Sequence, residues 1–208
     1  SEEIVQIQSL LEEYLEQGGF PEIVLENNPE SKQKIIEEYF ELAVYKDLVE
    51  RYKLKDALLV KWLLKYVSSC YSKEMSVNQI YLTLKSQGRK ISKDEVYSYA
   101  SLIGDSFFVF YLPKFNWSVK KRESVQKIYL CDTCFAKISE ISPNWGKKME
   151  NLVFLELLRK KKPLEEVFYW KNVHQEEVDF VVKSKQTIQQ LIQVCYNLED
   201  LDTKQREI

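Results

Sequence analysis

The sequence is short of the residues on which several common kinds of site depend. Its 208 residues include five Gly, five Pro and one His, His174. A single histidine in a predicted hairpin turn gives little support to a Ser-His-Asp triad. No Gly-x-x-x-x-Gly-Lys-Ser/Thr segment is present to cradle a nucleotide phosphate. No apolar run reaches about 18 residues, so we expect no membrane-spanning helix and no membrane partner.

The cysteines and the net charge argue against two further classes of protein. Four scattered Cys predict a chain kept reduced in the cytoplasm. The pair Cys131 and Cys134 has no second pair and no neighbouring His, so free thiols are a better interpretation than a zinc site. Thirty basic residues against 32 acidic ones give a net charge of −2. A globally basic DNA-binding protein is thereby excluded, and any nucleic-acid site must be a local patch.

The sequence has enough apolar residues to form a hydrophobic core, and its pattern predicts an α+β protein with three units. Apolar residues make up 45%, with 13 Tyr, 10 Phe and 4 Trp. Residues 1–70 predict a helical segment with helices at 4–17, 31–52 and 56–69, and Ser31 is the expected N-cap of the second. The chain starts at Ser1 without Met and ends at Ile208. We therefore expect a piece of a longer protein, whose last domain is truncated.

Residues 71–144 carry the pattern of a winged helix-turn-helix. Ser76 and Ser92 each open a capping-box pattern, and only a short turn separates the two predicted helices. Strands are expected at 107–112 and 125–130, with a wing between them that holds Lys114, Lys120, Lys121, Arg122 and Lys127. Phosphate contacts use such a patch. Lys93, Tyr97 and Ser98 on the second helix are the further candidates for nucleic-acid binding, although Asp94 and Glu95 beside them repel phosphates.

Residues 145–208 carry an α-β-β-β-α pattern with polar groups inside apolar strands. A helix is expected at 147–161, then strands at 167–170, 178–182 and 191–195, and a further helix starting near Asp200. We expect a mixed sheet. Residues two apart on a strand share a face, so Glu177 and Asp179 point one way. Gln193 and Cys195 share a face on the next strand. Two polar strands of this kind are the framework of a nuclease metal site.

Several segments together resemble archaeal and bacterial AAA+-type ATPases that carry a C-terminal domain of unknown function. The segments are Gly18-Gly-Phe-Pro21, Tyr45-Lys-Asp-Leu-Val-Glu-Arg51, Gly146-Lys-Lys-Met-Glu150, Glu177-Val-Asp-Phe180 and Ile192-Gln-Val-Cys195. The resemblance implies a P-loop module, a helical lid, a winged helix and a nuclease-like domain of the PD-(D/E)xK class. It makes the ATPase module the expected partner and places the ATP site there. In this chain residues 1 to about 50 would be lid-derived, and no cofactor is expected apart from Mg²⁺ at the nuclease-like site.

The resemblance also assigns the residues of the nuclease-like site. It supplies Glu150 and Asp179 as the acids that would bind Mg²⁺, with Glu156 as a weaker substitute for Glu150. The class requires an acid at position 193 and a Lys at 195, where this chain has Gln193 and Cys195. A thiol neither replaces an ammonium group nor suits hard Mg²⁺. We therefore expect a degenerate site without catalytic residues.

Three functions remain open at this point. The first is a non-catalytic C-terminal part of an AAA+-like ATPase that recognises a nucleic acid such as DNA or a protein partner. The second is a metal-dependent DNA nuclease, and the third is a pure protein-interaction module. The identity of residue 195 argues against the nuclease, and the acidic composition favours the interaction module.

Overall fold

The computed structural model describes residues 2–117 and 125–196 and shows an α+β protein. Its first part consists of α-helices and of one π-helical segment, Ala43–Glu50, which directly continues the helix before it. These helices are α1 (Glu2–Gln17), α2 (Pro21–Leu25), α3 (Pro29–Leu42) and α4 (Ala57–Ser69). The helix expected at 31–52 thus begins at Pro29 and changes from an α-helix to a π-helix at Ala43. Its N-cap is Asn28, whose side chain accepts from the backbone N–H of Ser31, so Ser31 as N-cap was wrong.

The middle part pairs two helices with a small antiparallel sheet. The helices are α5 (Val77–Ser86) and α6 (Lys93–Asp105). Ser76 and Ser92 cap them through their side chains, and Ser92 forms the full capping box with Glu95. The strands are β1 (Glu74–Met75), β2 (Val109–Pro113) and β3 (Gln126–Leu130), in the order β1-β3-β2. A 3-10 helix, Thr133–Ile138, follows β3.

The C-terminal part is one helix against a second three-stranded sheet. The elements are α7 (Trp145–Lys160), β4 (Glu165–Lys171), β5 (Glu177–Ser184) and β6 (Thr187–Ile192). The order is β4-β5-β6 and both pairings are antiparallel, so the expected mixed sheet was wrong. The last strand was placed too late, because Gln193 and Cys195 lie beyond it. The helix predicted near Asp200 lies outside the described residues.

Two hydrophobic cores meet at the sheet of β1, β2 and β3. Ile128 and Leu130 belong to the larger core with the helices of the first and middle parts. Tyr129, between them on β3, belongs to the smaller core with Phe154 and Phe180 of the C-terminal part. Alternation along one strand therefore supplies both cores. In the C-terminal part Phe154 and Phe180 are buried, while Leu157, Val178 and Val194 are half-buried.

None of the helices among the described residues is long and apolar enough to cross a bilayer.

Candidate functional site: an acid cluster around a buried lysine

The acids predicted in the C-terminal part surround the ammonium group of Lys127. This lysine lies on β3, and its Nζ is 3.0 Å from Glu150 Oε1 on α7 and 3.1 Å from Asp179 Oδ1 on β5. It also forms an ion pair with Glu177, two positions before Asp179 on the same strand. Three carboxylates from two elements thus converge on one cation supplied by a third element.

This charged centre is withdrawn from solvent and largely hydrogen-bonded. Lys127 is 3% exposed and Asp179 6%. Burying an ion costs several kcal/mol unless partners compensate it. The Tyr129 hydroxyl donates to Glu150 Oε1 at 2.6 Å, and the Val194 N–H donates to Asp179 Oδ2 at 3.0 Å. The partners that compensate the buried charges lie next to one another. Removing one of these charged side chains therefore leaves the other charges without a partner.

A second lysine extends the network toward the middle part. Lys171 Nζ lies 3.2 Å from Glu74 Oε2 and 3.3 Å from Glu177 Oε2. The hydroxyl of the buried Tyr169 donates to Glu74 Oε1 at 2.9 Å. We call the six charged residues the acid cluster: Lys127, Lys171, Glu74, Glu150, Glu177 and Asp179. Two cations and four carboxylates give it a formal charge of 2 − 4 = −2.

The pKa values of the members shift in opposite directions. Burial tends to lower the pKa of Lys127, but the surrounding carboxylates outweigh it, so that pKa is raised and the ammonium stays charged. Burial raises the pKa of Glu150, and Lys127 offsets only part of this. Burial acts the same way on Glu177, yet there Lys127 and Lys171 prevail and the pKa is lowered. Burial also raises the pKa of Tyr129, which keeps its hydroxyl a donor.

Gln193 and Cys195 do not complete a metal site. The Gln193 side-chain oxygen accepts from the backbone N–H of Asp179 at 3.3 Å, so this carbonyl already has a donor. Cys195 is half-buried and forms no disulfide. Both follow the end of β6 at Ile192 and are not part of the strand.

The donors present do not fit a Mg²⁺ ion. Within residues 2–117 and 125–196, no group of three or more His, Cys, Asp or Glu side chains is arranged to hold a metal. The two predicted ligands, Glu150 and Asp179, both direct an oxygen at the Lys127 ammonium. A divalent ion between them would have to displace that ammonium group.

The candidate nucleic-acid residues of α6 lie on the molecular surface. Lys93, Tyr97 and Ser98 are exposed, with Tyr97 at 48%. The Lys93 ammonium lies 5.9 Å from the centre of the Tyr97 ring, within the range of a cation–π contact. Glu95 is used locally, because its carboxylate accepts from the backbone N–H and the hydroxyl of Ser92.

The base of the predicted wing packs against the C-terminal sheet. Lys114 forms a parallel β-bridge with Tyr169 of β4, and the Phe115 N–H donates to the Tyr169 carbonyl at 2.6 Å. The Trp117 ring lies 5.9 Å from the Lys183 ammonium of β5. Lys120, Lys121 and Arg122 lie outside the described residues.

The remaining candidates have local roles. Glu156 is half-buried and pairs with Arg159 at 2.6 Å and with Lys160 at 3.4 Å on its own helix, away from the acid cluster. Burial raises the pKa of the Cys131 thiol to about 12 and also raises that of Cys134, so both are protonated thiols at neutral pH.

Sequence reasoning missed the centre of the site. Lys127 was assigned to the wing as a phosphate contact, which is wrong, since the side chain is buried among acids. Tyr129, Glu74 and Lys171 were not singled out. The available signal was the position of Lys127 inside an apolar strand at 126–130, which could have indicated a buried lysine. We had assumed that its side chain faces solvent.

Two family models match this chain, one in each of two consecutive segments. Residues 145–203 match a domain of unknown function (DUF4143), which is typically a C-terminal region of AAA-ATPase-like proteins. Residues 8–141 match another, the domain of unknown function DUF8612. That match covers more than half of the chain, and the chain belongs to this family.

Two relatives extend along nearly the whole chain. An uncharacterized protein of Methanocaldococcus jannaschii is 34% identical over 198 residues, which cover 95% of this chain and 44% of that protein. An uncharacterized protein of Haemophilus influenzae is 24% identical over 199 residues, covering 93% of this chain and 48% of that protein. The chain thus spans about half the length of the curated relatives it matches. No solved structure matches it.

Proposed function

We propose that this chain is a non-catalytic recognition module in which a winged helix is joined to a PD-(D/E)xK nuclease-like domain that does not cleave nucleic acid. The observation that carries the proposal is the Lys127 ammonium among Glu150, Glu177 and Asp179. The association of the C-terminal domain with AAA-ATPase-like proteins makes a P-loop ATPase module its proposed partner.

The chemistry of the acid cluster argues against the nuclease alternative. Metal-dependent nucleases use acids that converge on a divalent ion and keep an open position for water and phosphate. Here the acids converge on a tethered ammonium group, which cannot polarise a water molecule as a metal does. Position 195, where the nuclease class has lysine, is a cysteine, and a thiol cannot replace an ammonium group.

A cleavage assay tests this part of the proposal. We expect no cleavage of duplex or single-stranded DNA by the purified chain with Mg²⁺ or Mn²⁺, because the acids are already engaged by Lys127. The decisive comparison is Asp179→Ala, which removes one of the two predicted ligands. Sustained cleavage by the wild type that disappears in this variant would establish the nuclease instead.

Recognition of DNA is proposed to rest on the basic residues of the wing and on α6. Lys120, Lys121 and Arg122 form the densest positive charge in this part of the sequence. Contacts of this kind go to phosphates, so binding should be weak and independent of sequence. With about four phosphates neutralised, the log–log slope of affinity against salt should be roughly −3 to −4.

Fluorescence anisotropy on duplex DNA tests the wing directly. We expect the Lys120→Ala/Lys121→Ala/Arg122→Ala variant to bind all sequences more weakly than the wild type. The matched control is Lys160→Ala/Lys161→Ala/Lys162→Ala, which removes the same charge from the end of α7 and should leave affinity unchanged. Equal binding by the wing variant and the wild type would show that the wing is not the contact surface.

The packing of the wing base favours a second candidate, a protein-docking element. Phe115 and Trp117 lie against the C-terminal sheet through aromatic and cation–π contacts with Phe168 and Lys183. This part of the wing therefore joins two parts of the molecule. If neither the wild type nor the variants bind DNA at low salt, the winged helix is a docking element between the nuclease-like domain and the ATPase module.

A further inference from the structure

A pocket between the first and middle parts of the molecule is lined by residues from separate segments of the chain. It has a volume of about 550 Å³ and lies where the segment before α4 meets the turn between α5 and α6. Its apolar lining consists of Leu59, which is buried, and Leu54, Ile91 and Tyr99, which are half-buried. A concave surface of this size with apolar lining and a few polar groups is the usual form of a ligand site.

The remaining lining of this pocket is charged, with an excess of positive charge. Lys53, Lys55, Arg89 and Lys90 line it, and all four are exposed. Two acidic side chains also line it, so two positive charges are in excess. The first two lysines come from the segment before α4 and the other two basic residues from the turn after α5. We call the pocket with these four residues the basic pocket.

The two acids of the basic pocket have local partners. Asp56 is the N-cap of α4, where its Oδ1 accepts from the backbone N–H of Leu59 at 2.9 Å. Its Oδ2 lies 3.5 Å from Arg89 Nη1. The Glu95 carboxylate accepts from the backbone N–H of Ser92 at 2.9 Å and from its hydroxyl at 2.8 Å. Both acids therefore stabilise the starts of helices, and they pair with no lysine of the pocket.

The lysines of the basic pocket lack an acidic partner. Within residues 2–117 and 125–196, Lys53, Lys55 and Lys90 are in no ion pair. Their positive charges repel one another around a shared cavity, and an anion bound there would relieve that repulsion. Arg89 contacts Asp56 through one nitrogen only, so the guanidinium group has further N–H donors for a ligand. The basic pocket thus has both the charge and the donors of an anion site.

We propose that the basic pocket binds a phosphate group. Phosphate oxygens accept from guanidinium and ammonium groups, so Arg89 would donate two parallel hydrogen bonds while Lys55 and Lys90 act as point charges. A strand of DNA would supply this phosphate, because Ile91 at the pocket leads directly into α6, which carries Lys93. A free phosphorylated molecule has the same chemistry. The choice of DNA as the source rests on the proposed function, whereas the phosphate site does not.

A titration of the full chain with inorganic phosphate, followed by heteronuclear NMR at constant ionic strength, tests the site. The pocket variant is Lys55→Glu/Lys90→Glu, which reverses two of the pocket charges. Its matched control is Lys161→Glu/Lys162→Glu, at exposed lysines just after α7, which changes the net charge by the same amount. Circular dichroism would verify that both are folded. Phosphate should shift the amide signals of residues 53–56 and 89–91 in the wild type and the control, but not in the pocket variant.

Fluorescence anisotropy on duplex DNA with the same proteins identifies the source of the phosphate. If the source is DNA, the pocket variant should bind about tenfold more weakly than the control, through the loss of one charge-assisted contact, and its salt slope should be smaller by about 1. If phosphate shifts the pocket signals but the pocket variant and the control bind DNA equally, or the wild type binds none, the site holds and a free phosphorylated molecule is its ligand.

The phosphate titration alone decides whether the site exists. If phosphate leaves the pocket signals of the wild type unshifted, or shifts those of the wild type and the pocket variant alike, the proposal is overturned, whether or not the chain binds DNA.

Discussion

At the scale of single residues, Lys127 and Tyr129 decide the character of the acid cluster. They alternate with Ile128 and Leu130 on β3, so their side chains leave the strand on the side of the C-terminal part. Both polar groups reach Glu150. A buried charge with close partners adds little net stability but is costly to leave unpaired. The cluster therefore specifies how α7 and β5 sit on β3.

Replacing Lys127 with Met tests this role, because Met keeps the length of the side chain and removes the charge. We expect a loss of about 3–5 kcal/mol in the free energy of unfolding at pH 7, since Glu150 and Asp179 lose their cation and Glu177 keeps only Lys171. The variant loses the cation that partly offsets the burial of Glu150, so the pKa of Glu150 should rise further. The folded state then binds more protons than the unfolded state, and the loss should shrink as the pH falls. Urea unfolding at pH 7 and at mildly acidic pH would measure both effects.

The control for this prediction is Lys160→Met on α7, where the side chain is 79% exposed and its ammonium group pairs with Glu156. A surface pair of this kind contributes less than about 1 kcal/mol. If both variants lose the same small amount at every pH, Lys127 is not the centre of the cluster.

The limits of the sequence are visible at the same residues. Glu150 and Asp179 were predicted to approach each other, and both contact Lys127. The contact of these acids with Lys127 was not predicted, because the lysine is 23 residues from Glu150 and 52 from Asp179 in the sequence. Strand alternation gives the side of β3 on which a lysine lies, but it does not say which element covers that side.

At the scale of elements, Asp132 joins the end of α1 to the start of the 3-10 helix. Its Oδ2 accepts from the Gly19 N–H at 2.9 Å, and its Oδ1 accepts from the Cys134 N–H at 2.9 Å. Gly18 ends α1 with a φ of +78°, and a Cβ there would lie 1.8 Å from Asp132 Oδ1. The close approach of these two elements thus requires a glycine.

The matched variants Gly18→Ala and Gly88→Ala separate backbone conformation from packing. Gly88 has nearly the same φ, +77°, with nothing within 4 Å of the added Cβ. We expect Gly88→Ala to cost about 1–2 kcal/mol, the price of left-handed backbone for an L-residue. Gly18→Ala should cost clearly more, because Asp132 must also move. Thermal unfolding would compare them, and equal losses would show that the Asp132 contact contributes nothing.

Sequence signals between neighbouring residues predicted where helices begin more accurately than they predicted how strands pair. The capping patterns at Ser76 and Ser92 located the starts of α5 and α6, because a cap depends only on neighbouring residues. The sense of the C-terminal sheet was wrong, although the sequence contained the information. Only residues 185–186 separate β5 from β6, and a two-residue connection permits antiparallel pairing alone. Too late a placement of the last strand hid this turn.

At the scale of the whole molecule, the sheet of β1, β2 and β3 contributes side chains to both hydrophobic cores. Leu112 and Tyr129 of β2 and β3 lie in the smaller core, while Val109 and Ile128 of the same strands lie in the larger one. The family matches divide the chain between residues 141 and 145. The folded parts on either side of that division are nevertheless joined by packing and by the acid cluster.

Shared packing predicts that the two cores unfold together. Phe154 is 2% exposed and stacks on Tyr129 with ring centroids 4.1 Å apart. Phe154→Ala should cost about 3–5 kcal/mol. Native-state hydrogen exchange should then show protection falling by the same amount in β5 and in α4, although α4 belongs to the other core. The reciprocal variant Leu64→Ala, in α4, should lower protection in β5 equally. If each variant weakens only its own core, β2 and β3 do not couple the two parts, and they unfold as separate domains.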